Sequence, residues 1–298
     1  MNLNLLRVFA AVVEHHSFSR AAETLDISQP AASKAVRELE AQLGTVLLDR
    51  QGRSFRVNEP GQRLYDYGRS IFALEREARD AVGAYAMLAR GQLTVGASTT
   101  IATYWLPPCL VAFYRQHPDI ELRLISANTQ HITELLLDCR IDVALVEGGP
   151  VADPRFDIRP WRSEEMIIVA PRPPGSPGLA DVTPHALADQ VWIVRERGSG
   201  SREATDELLA KLGLAPPRTI EVGSNEAIVQ TVAAGIGLGL VPQICARDQL
   251  TLGRVRQLRP GADPFQRQLY RMRLPHRPVS PAALAFEAVI SAGQPTCF

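Results

Sequence analysis

The chain lacks most of the features that mark an enzyme, a metalloprotein or a membrane protein. Its four cysteines, Cys109, Cys139, Cys245 and Cys297, are far apart, with no C-x-x-C spacing and no neighbouring histidine pair. That excludes a zinc or dithiol redox pattern and leaves buried or idle thiols of a reducing compartment. No stretch approaches the run of about 18 uncharged apolar residues that a membrane span needs. The opening MNLNLLRVFAAVVEHH lacks a basic start, carries Arg7 inside its apolar run and reaches Glu14-His15-His16 without a small-residue cleavage site. It therefore does not read as a signal peptide, and a cytoplasmic location is expected. G-x-S-x-G, the phosphate-binding loop and H-E-x-x-H are all missing. His117 and His131 flank predicted strands without obvious acidic partners. Ala234-Gly-Ile-Gly-Leu-Gly239 has glycines spaced two apart after a helix, which makes it a helix-to-strand turn and not a dinucleotide fingerprint. No enzymatic activity, metal or cofactor is expected. Net charge is also missing, since 32 Lys and Arg balance 32 Asp and Glu. This weighs against nucleic acid but does not exclude it, because a local basic patch suffices to neutralise phosphates.

What is present is apolar residue in quantity and in register. At 298 residues with 46% hydrophobic side chains, the chain can bury the cores of two or three units. Leu3, Leu6, Phe9, Ala10 and Val13 recur at helical spacing. Ser19 is placed to cap a second short helix through Ala21, Ala22 and Leu25. After the turn Asp26-Ile27-Ser28, Ser28 caps a third helix, Pro30 is tolerated in its first turn, and Gly44 ends it. At 100° per residue, Ala32, Val36, Leu39 and Leu43 share one face of this helix. Pro30, Lys34 and Arg37 share the other, with Ser33 at its edge and Gln29 at the exposed tip. Two short helices joined by a tight turn fit a helix-turn-helix, whose second helix a major groove admits. From periodicity alone, a solvated face on an ordinary helical domain fits equally well.

The following residues favour the first reading. Val46-Leu47-Leu48 leads into Asp49-Arg50-Gln51-Gly52-Arg53-Ser54-Phe55-Arg56-Val57, a hairpin around Gly52 with three arginines. A hairpin beside a recognition helix is a wing, and Arg50 and Arg53 can hold the phosphate backbone or the minor groove. A long helix follows from Gly61 to about Ala89. Leu64, Ile71, Ala78 and Tyr85 form one seven-residue series, and Tyr67, Leu74, Ala81 and Leu88 a second. Together they make the a/d pattern of a coiled coil, and a dimer would present two recognition helices at fixed spacing. The alternative is one helix packed on its own domain.

From Arg90 onward, short apolar runs alternate with helical segments: Leu93–Ala97, Ile120–Ile125, Ile141–Val146, Met166–Ala170 and Val191–Val194 read as strands. Thr100–His117, interrupted or started near Pro107-Pro108, and Gln130–Cys139 read as helices. This is α/β with a mostly parallel sheet, which binds ligands beyond the carboxyl ends of its strands. Those ends carry Ser98, Thr99 and Thr100; Asn128 and Thr129; Glu147 and Gly148. Two further sets open helices: Arg195-Glu-Arg197-Gly-Ser199-Gly-Ser201-Arg202, and Gly223-Ser224-Asn225-Glu226. Hydroxyls and free N–H groups at helix starts suit a small anion, although each set taken alone can be plain capping.

SFSRAAETLDISQPAASKAVRELEAQLGTVLLDR, followed by a Gly-Arg wing and a long helix, resembles the N-terminal region of LysR-type transcriptional regulators without gaps from about Leu3 to Ala89. One departure is Asn58-Glu59-Pro60-Gly61, where the family more often has a Thr-Pro-Ala-Gly type of turn. GxLxxGASTTIATYxLP, IDVALVEG and GSNEAIxxxVxAGxGLGLVP resemble the effector domain of the same family, in the branch that senses small inorganic or carboxylate anions. Trp105 stands where Leu is commoner. The resemblance implies a winged helix-turn-helix at 1–60, a coiled-coil linker and dimerisation helix at 61–90, and a two-lobed effector domain of periplasmic-binding-protein type at 91–298. Lobe one would be about 91–162 plus 266–298, and lobe two about 163–265. It implies DNA-binding residues Ser28, Gln29, Pro30, Ser33, Lys34, Arg37, Arg50 and Arg53. It implies an effector pocket of Ser98, Thr99, Thr100, Thr129, Ser199, Ser201 and Ser224, with Arg197 and Arg202 as charge partners. The implied partners are double-stranded promoter DNA, RNA polymerase and further copies of the chain, as a dimer or tetramer, with no membrane. The rival reading is a solute-binding protein for a small anion without a regulatory role, which would need a secretion signal and no DNA-binding head.

Overall fold

The structure, a computed structural model, describes residues 2–51, 54–86, 91–148, 153–261 and 263–292. For residues 50, 51, 54, 73, 76, 77 and 79–86 it describes only the backbone. The chain forms two compact units, Met1–Val82 and Gly83–Phe298.

The first unit begins with α1 (Leu3–His15), α2 (Phe18–Thr24) and α3 (Gln29–Leu43). The cap of α2 is Ser17 and not Ser19: its hydroxyl accepts the Arg20 N–H at 3.3 Å, and Ser19 lies inside the first turn. Ser28 caps α3 by accepting the Ala31 N–H at 3.3 Å, and Gly44 ends the helix in the left-handed region, φ 64°. Val36 and Leu39 join Leu6, Phe9, Val12 and Ala21 in one core, and Ala32 is buried with them. Leu43, on the same predicted face, is 39% exposed, because it lies in the last turn where the chain leaves the helix at Gly44.

Strands β1 (Leu48–Gln51) and β2 (Ser54–Val57) pair antiparallel with Arg50 opposite Phe55, the register of the predicted hairpin. Gly52 and Arg53, and the side chain of Arg50, lie outside the described residues. Two polar side chains fix this hairpin to the helices. Glu40 of α3 accepts from the backbone N–H of Leu47 at 2.9 Å and of Leu48 at 3.2 Å. Asn58 donates to the Val46 carbonyl at 2.9 Å and accepts the Gly61 N–H at 2.9 Å. Asn58 therefore does the work of a helix cap, and α4 (Glu59–Ala86) starts two residues earlier than its apolar pattern suggests. Gly61 is required where it stands, since an added Cβ would collide with the Leu47 carbonyl oxygen.

The two heptad series of α4 part company. Leu64 and Ile71, with Tyr65 and Phe72, pack on the core of the first unit. Arg7 lies 4.5 Å over the Phe72 ring and pairs with Glu75 at 2.6 Å. Tyr67 and Leu74 are 71% and 52% exposed. The side chains of Ala81 and Tyr85, and Leu88 entirely, lie outside the described residues.

In the second unit β3 (Gln92–Ser98) lies between β4 (Glu121–Ala127) and β5 (Val143–Glu147), all parallel. A π-helical turn, Ile101–Trp105, precedes α5 (Leu106–Gln116), and α6 (Thr129–Leu137) links β4 to β5. The sheet then changes hand. Strand β6 (Asp157–Pro171) and β12 (Phe265–Arg273) run antiparallel to each other, and β12 is antiparallel to β5. The short β7 (Leu179–Asp181) and helix α7 (His185–Ala188) follow β6. Beyond them lie β8 (Val191–Arg195), α8 (Gly200–Lys211), β9 (Arg218–Val222), α9 (Asn225–Ala233), β10 (Gly239–Pro242), α10 (Gln243–Thr251) and β11 (Val255–Arg259), and α11 (Pro281–Ser291) closes the described chain. Both β10 and β11 pair antiparallel with β6, while β8 and β9 form a separate parallel pair. The mostly parallel sheet read from strand-helix alternation is therefore corrected to a mixed one. Alternation reports the order of elements, not the direction in which a returning strand enters.

Strand β6 has 15 residues, of which only the apolar stretch from Met166 was legible. Its first half, Asp157-Ile-Arg-Pro-Trp-Arg-Ser-Glu-Glu165, shows no alternation, because it crosses between two bodies instead of covering one core. A register shift opposite Leu269 and Tyr270 leaves Trp161 without a partner residue on β12, a bulge at the crossing. One body is built on Val95, Ile101, Leu106, Phe113, Leu145 and Phe286, with Ile132, Val146 and Met272 on the other face of its sheet. The other body is built on Trp192, Leu208 and Leu240, with Val169, Ile193, Ile228 and Val241 behind. This is a two-lobed α/β unit with β6 and β12 passing through both lobes.

Replacing Glu40 by Ala would remove the carboxylate partner of two backbone N–H groups, Leu47 and Leu48, near the α3–wing junction. We expect a loss of about 1–3 kcal/mol in the stability of the first unit, read as a lower urea midpoint, with the second unit's transition unmoved.

Candidate functional site

Two surfaces qualify, one in each unit. On the first, Gln29, Pro30, Lys34 and Arg37 are exposed along α3, with Ser33 half-buried beside them. Ser28 is exposed too, but its hydroxyl is engaged in capping. The arrangement puts a cationic, sparsely branched face at a helix N-terminus, where backbone N–H groups and the helix dipole favour a phosphate. Arg56 on β2 is exposed and extends the basic character to the described part of the wing. Arg53 and the side chain of Arg50 lie outside the described residues.

The second site lies where the two lobes of the α/β unit meet and is held by groups from eight elements. Its centre is a buried charge cluster. Arg267 of β12 donates from Nε to Glu164 of β6 at 2.9 Å and pairs with the same carboxylate through Nη2. The other Glu164 oxygen accepts the Trp105 indole N–H at 3.0 Å. Arg267 Nη1 donates to Ser201 of α8 at 2.9 Å and lies 3.8 Å from Glu147 of β5. Ser98, at the end of β3, donates to the Glu147 carboxylate, and Thr129 donates to the Glu147 carbonyl at 2.9 Å. Asn225, opening α9, donates to Ser201 at 2.9 Å and to Thr100 at 2.8 Å. Ser98, Thr100, Thr129, Ser201, Asn225, Glu147, Glu164 and Arg267 are all buried.

Charge does not balance there. Burial raises the Glu147 carboxyl above its ordinary range; Arg267 opposes the shift and the neighbouring Glu164 adds to it. Burial likewise raises the Tyr104 phenol, helped by Cys245 and Glu226, and the Cys245 thiol, helped by Glu226 and Glu164. A second buried guanidinium, Arg195, gives Nε and Nη2 to Glu196 at 2.8 Å each. Its Nη1, and the Asn225 Oδ1, are buried without a hydrogen-bond partner among the described residues. Such atoms are costly unless something supplies the missing partner.

The remaining predicted residues are dispersed around this cluster. Thr99 is half-buried, its hydroxyl 3.5 Å from the Ala127 carbonyl. Ser199 caps α8 by accepting the Ser201 N–H at 3.3 Å, and Ser224 caps α9 by accepting the Ala227 N–H at 3.0 Å. Arg197 is exposed. Arg202 is bonded to Asp206 at 3.0 Å, to the Arg195 carbonyl at 3.0 Å and to Glu221 at 3.5 Å, away from the cluster. The cation that does enter is Arg267, which sequence reasoning missed together with Glu164, Asn225 and the role of Glu147. A signal was available for Glu147 and Asn225, at a strand end and a helix start. None was available for Arg267 and Glu164, which sit in mid-strand.

Comparison with known proteins agrees in both units. Residues 3–62 match the model described as a bacterial regulatory helix-turn-helix protein of the lysR family, and residues 87–294 match that of a LysR substrate binding domain. The transcriptional regulator CysL of Bacillus subtilis is 32% identical over 250 residues, covering 84% of this chain and 83% of that protein. The full-length OxyR of Pseudomonas aeruginosa superposes with a TM-score of 0.75 at 21% identity, over 100% of this chain and 99% of that one, a likeness of fold. The regulatory domain of CcmR from Synechocystis, solved in complex with 2-PG, gives a TM-score of 0.57 at 26% identity, over 68% of this chain and 97% of that domain.

Arg267→Met would strand Glu164 as a buried charge without its guanidinium. We expect about 3–5 kcal/mol of destabilisation of the second unit, measured by urea unfolding. Adding Glu164→Gln should recover much of the loss, since it removes the orphaned partner.

Proposed function

The chain belongs to the LysR family of DNA-binding transcriptional regulators, and from that premise we propose that it couples occupation of the cleft between its effector lobes to its hold on promoter DNA. The observation that carries this reading is the meeting of Ser98, Thr100, Ser201, Asn225 and Arg267, from five separate elements, through hydrogen bonds in one buried cluster. Five elements do not converge on polar side chains for packing. An apolar filling is cheaper there, so a polar cluster between two bodies marks a ligand seat. The ligand class that fits is a small anion or carboxylate. Hydroxyls and helix starts surround the seat, and Arg195 Nη1 is a buried donor in search of an acceptor. The winged head reads a partly palindromic site through Gln29, Ser33 and Lys34, with Ser28, Pro30, Arg37, Arg50 and Arg53 positioning it on the backbone. Pairing of 61–90 makes a dimer and, by the family's habit, a tetramer that meets RNA polymerase in the cytoplasm. The chain acts by binding and not by catalysis. An effector shifts such an assembly only if its affinity differs between the two arrangements, so lobe closure has to favour one of them.

Three measurements test this. A thermal-shift screen of the full-length protein against sulfate, sulfite, thiosulfate, phosphate, nitrate and short carboxylates should give one selective hit, worth about 2.7 kcal/mol at a hundredfold excess over Kd. A flat screen rejects the small-anion class. Ser33→Ala with Lys34→Ala should cost about 1–3 kcal/mol in binding to a specific operator, measured by anisotropy at fixed salt; unchanged affinity and specificity would move the recognition face elsewhere. Thr100→Ala should abolish the thermal shift by the hit while DNA affinity stays, and a retained shift places the pocket elsewhere.

A further inference from the structure

Two carboxylates share one guanidinium at the lobe junction, and they do not share it equally. Glu164 holds Arg267 through both Nε and Nη2 and has the Trp105 indole on its other oxygen. Arg267 has only Nη1 left, which donates to Ser201 and lies 3.8 Å from the Glu147 carboxylate, a looser pairing. Glu147 itself is 1% exposed, and its carboxylate has one hydroxyl partner, Ser98. The other buried cation nearby, Arg195 on β8, spends two of its nitrogens on Glu196. From α6 only the Thr129 hydroxyl reaches Glu147, and from α8 Glu203 lies over the neighbouring Gly148. An ionised Glu147 would thus be a second carboxylate beside Glu164, sharing a guanidinium that is hydrogen-bonded to Glu164. Burying such a charge is costly, and a buried acid takes up a proton instead.

The same residue is where the lobes touch. Gly200 starts α8 directly on Glu147, so that an added Cβ would run into the Glu147 carbonyl and its Cγ. Around this point the Gln130 N–H donates across the junction to the Gly198 carbonyl at 3.0 Å, and Asn128 donates to Glu196 at 3.3 Å. Thr100 and Asn225 close the far side at 2.8 Å. Closure is what seals Glu147 from water; parting the lobes would hydrate it.

We propose that Glu147 is a proton-operated latch of the cleft, neutral when the lobes are closed over it and favouring the open arrangement when ionised. The direction follows from linkage. Burial raises this carboxyl above its ordinary 4.5 in the closed state, while in the open state water restores it. The closed state is therefore fully favoured below 4.5 and loses ground as pH rises from there to the closed-state value, where the loss is complete. The latch needs no particular effector, so it stands or falls separately from the anion reading above.

The test is hydrogen exchange of the full-length protein, wild type against Glu147→Gln, at matched pH so that the intrinsic rate cancels. The Gln130 amide, bonded across the junction, is the direct reporter, with peptides 128–132 and 196–202 around it. The wild type should match the variant below 4.5 and, above it, exchange up to about tenfold faster per pH unit until the closed-state carboxyl also ionises. Glu147→Gln should stay protected throughout. Should that variant fail to fold, Ser98→Ala decides. It removes a donor that favours the charged form and so raises the closed-state value alone: the loss of protection should begin at the same pH, continue to higher pH and end larger than in the wild type. Equal protection of wild type and Glu147→Gln at every pH, or a Ser98→Ala loss of protection no larger than that of the wild type, overturns the latch.

Discussion

The α/β unit depends on one cross-strand pair, Glu164 opposite Arg267, on the two strands that run through both lobes. Neither residue would be tolerated singly in that position, because either charge alone is buried. Paired, they hold β6 and β12 in register next to the bulge at Trp161, where the strands pass from one body to the other. Everything at the cleft is built on them. Arg267 reaches Ser201 in one lobe, Glu164 reaches Trp105 in the other, and Asn225 joins Ser201 to Thr100. A pair of strands with an interior ion pair is a stiff element, and a bulge beside it supplies a place to bend. The site sits where stiffness and bending meet, which is where small local changes are transmitted to both lobes.

The head achieves rigidity by different means. Its core is a handful of apolar side chains, and its surface geometry is set by polar groups at the ends of elements: Asn2, Ser17, Ser28 and Asn58 at helix starts, and Glu40 holding the wing. This economy suits a reading head, because the exposed face of α3 is then free of structural duty. Ser28, by contrast, is committed to capping. The outward series Tyr67 and Leu74 on α4 leaves an apolar stripe unclaimed by the head, while Leu64 and Ile71 are used within it.

Cap-rich helices were legible because their chemistry is local. Ser28, Pro30 and Gly44 bound α3 by rules acting within one turn, and Ala32, Val36 and Leu39 carry its buried face in their spacing. Strands of one lobe core, such as Val143–Glu147, were legible as unbroken apolar runs. The limits were equally local. Ser17 and Ser19 are interchangeable as caps on paper, and only the turn after α1 selects Ser17. The first half of β6 has no pattern, since a strand that belongs to two bodies shows no alternation. Arginines looked alike in the sequence: Arg197 and Arg202 stand near the hydroxyls in the chain, yet the one in the cluster is Arg267, 66 residues from Ser201.

The head, the long helix, the α/β character of the rest and the short hydroxyl side chains at the strand ends and helix starts could all be read from residue order alone. Each of these depends on interactions between residues a few positions apart. Which charges are buried together, that one guanidinium serves two carboxylates, and that Glu147 lies directly against Gly200 at the start of α8 were settled only by folding. Those facts depend on strand register and burial, and a charge acquires its energetic meaning only from the groups and the dielectric that folding puts around it.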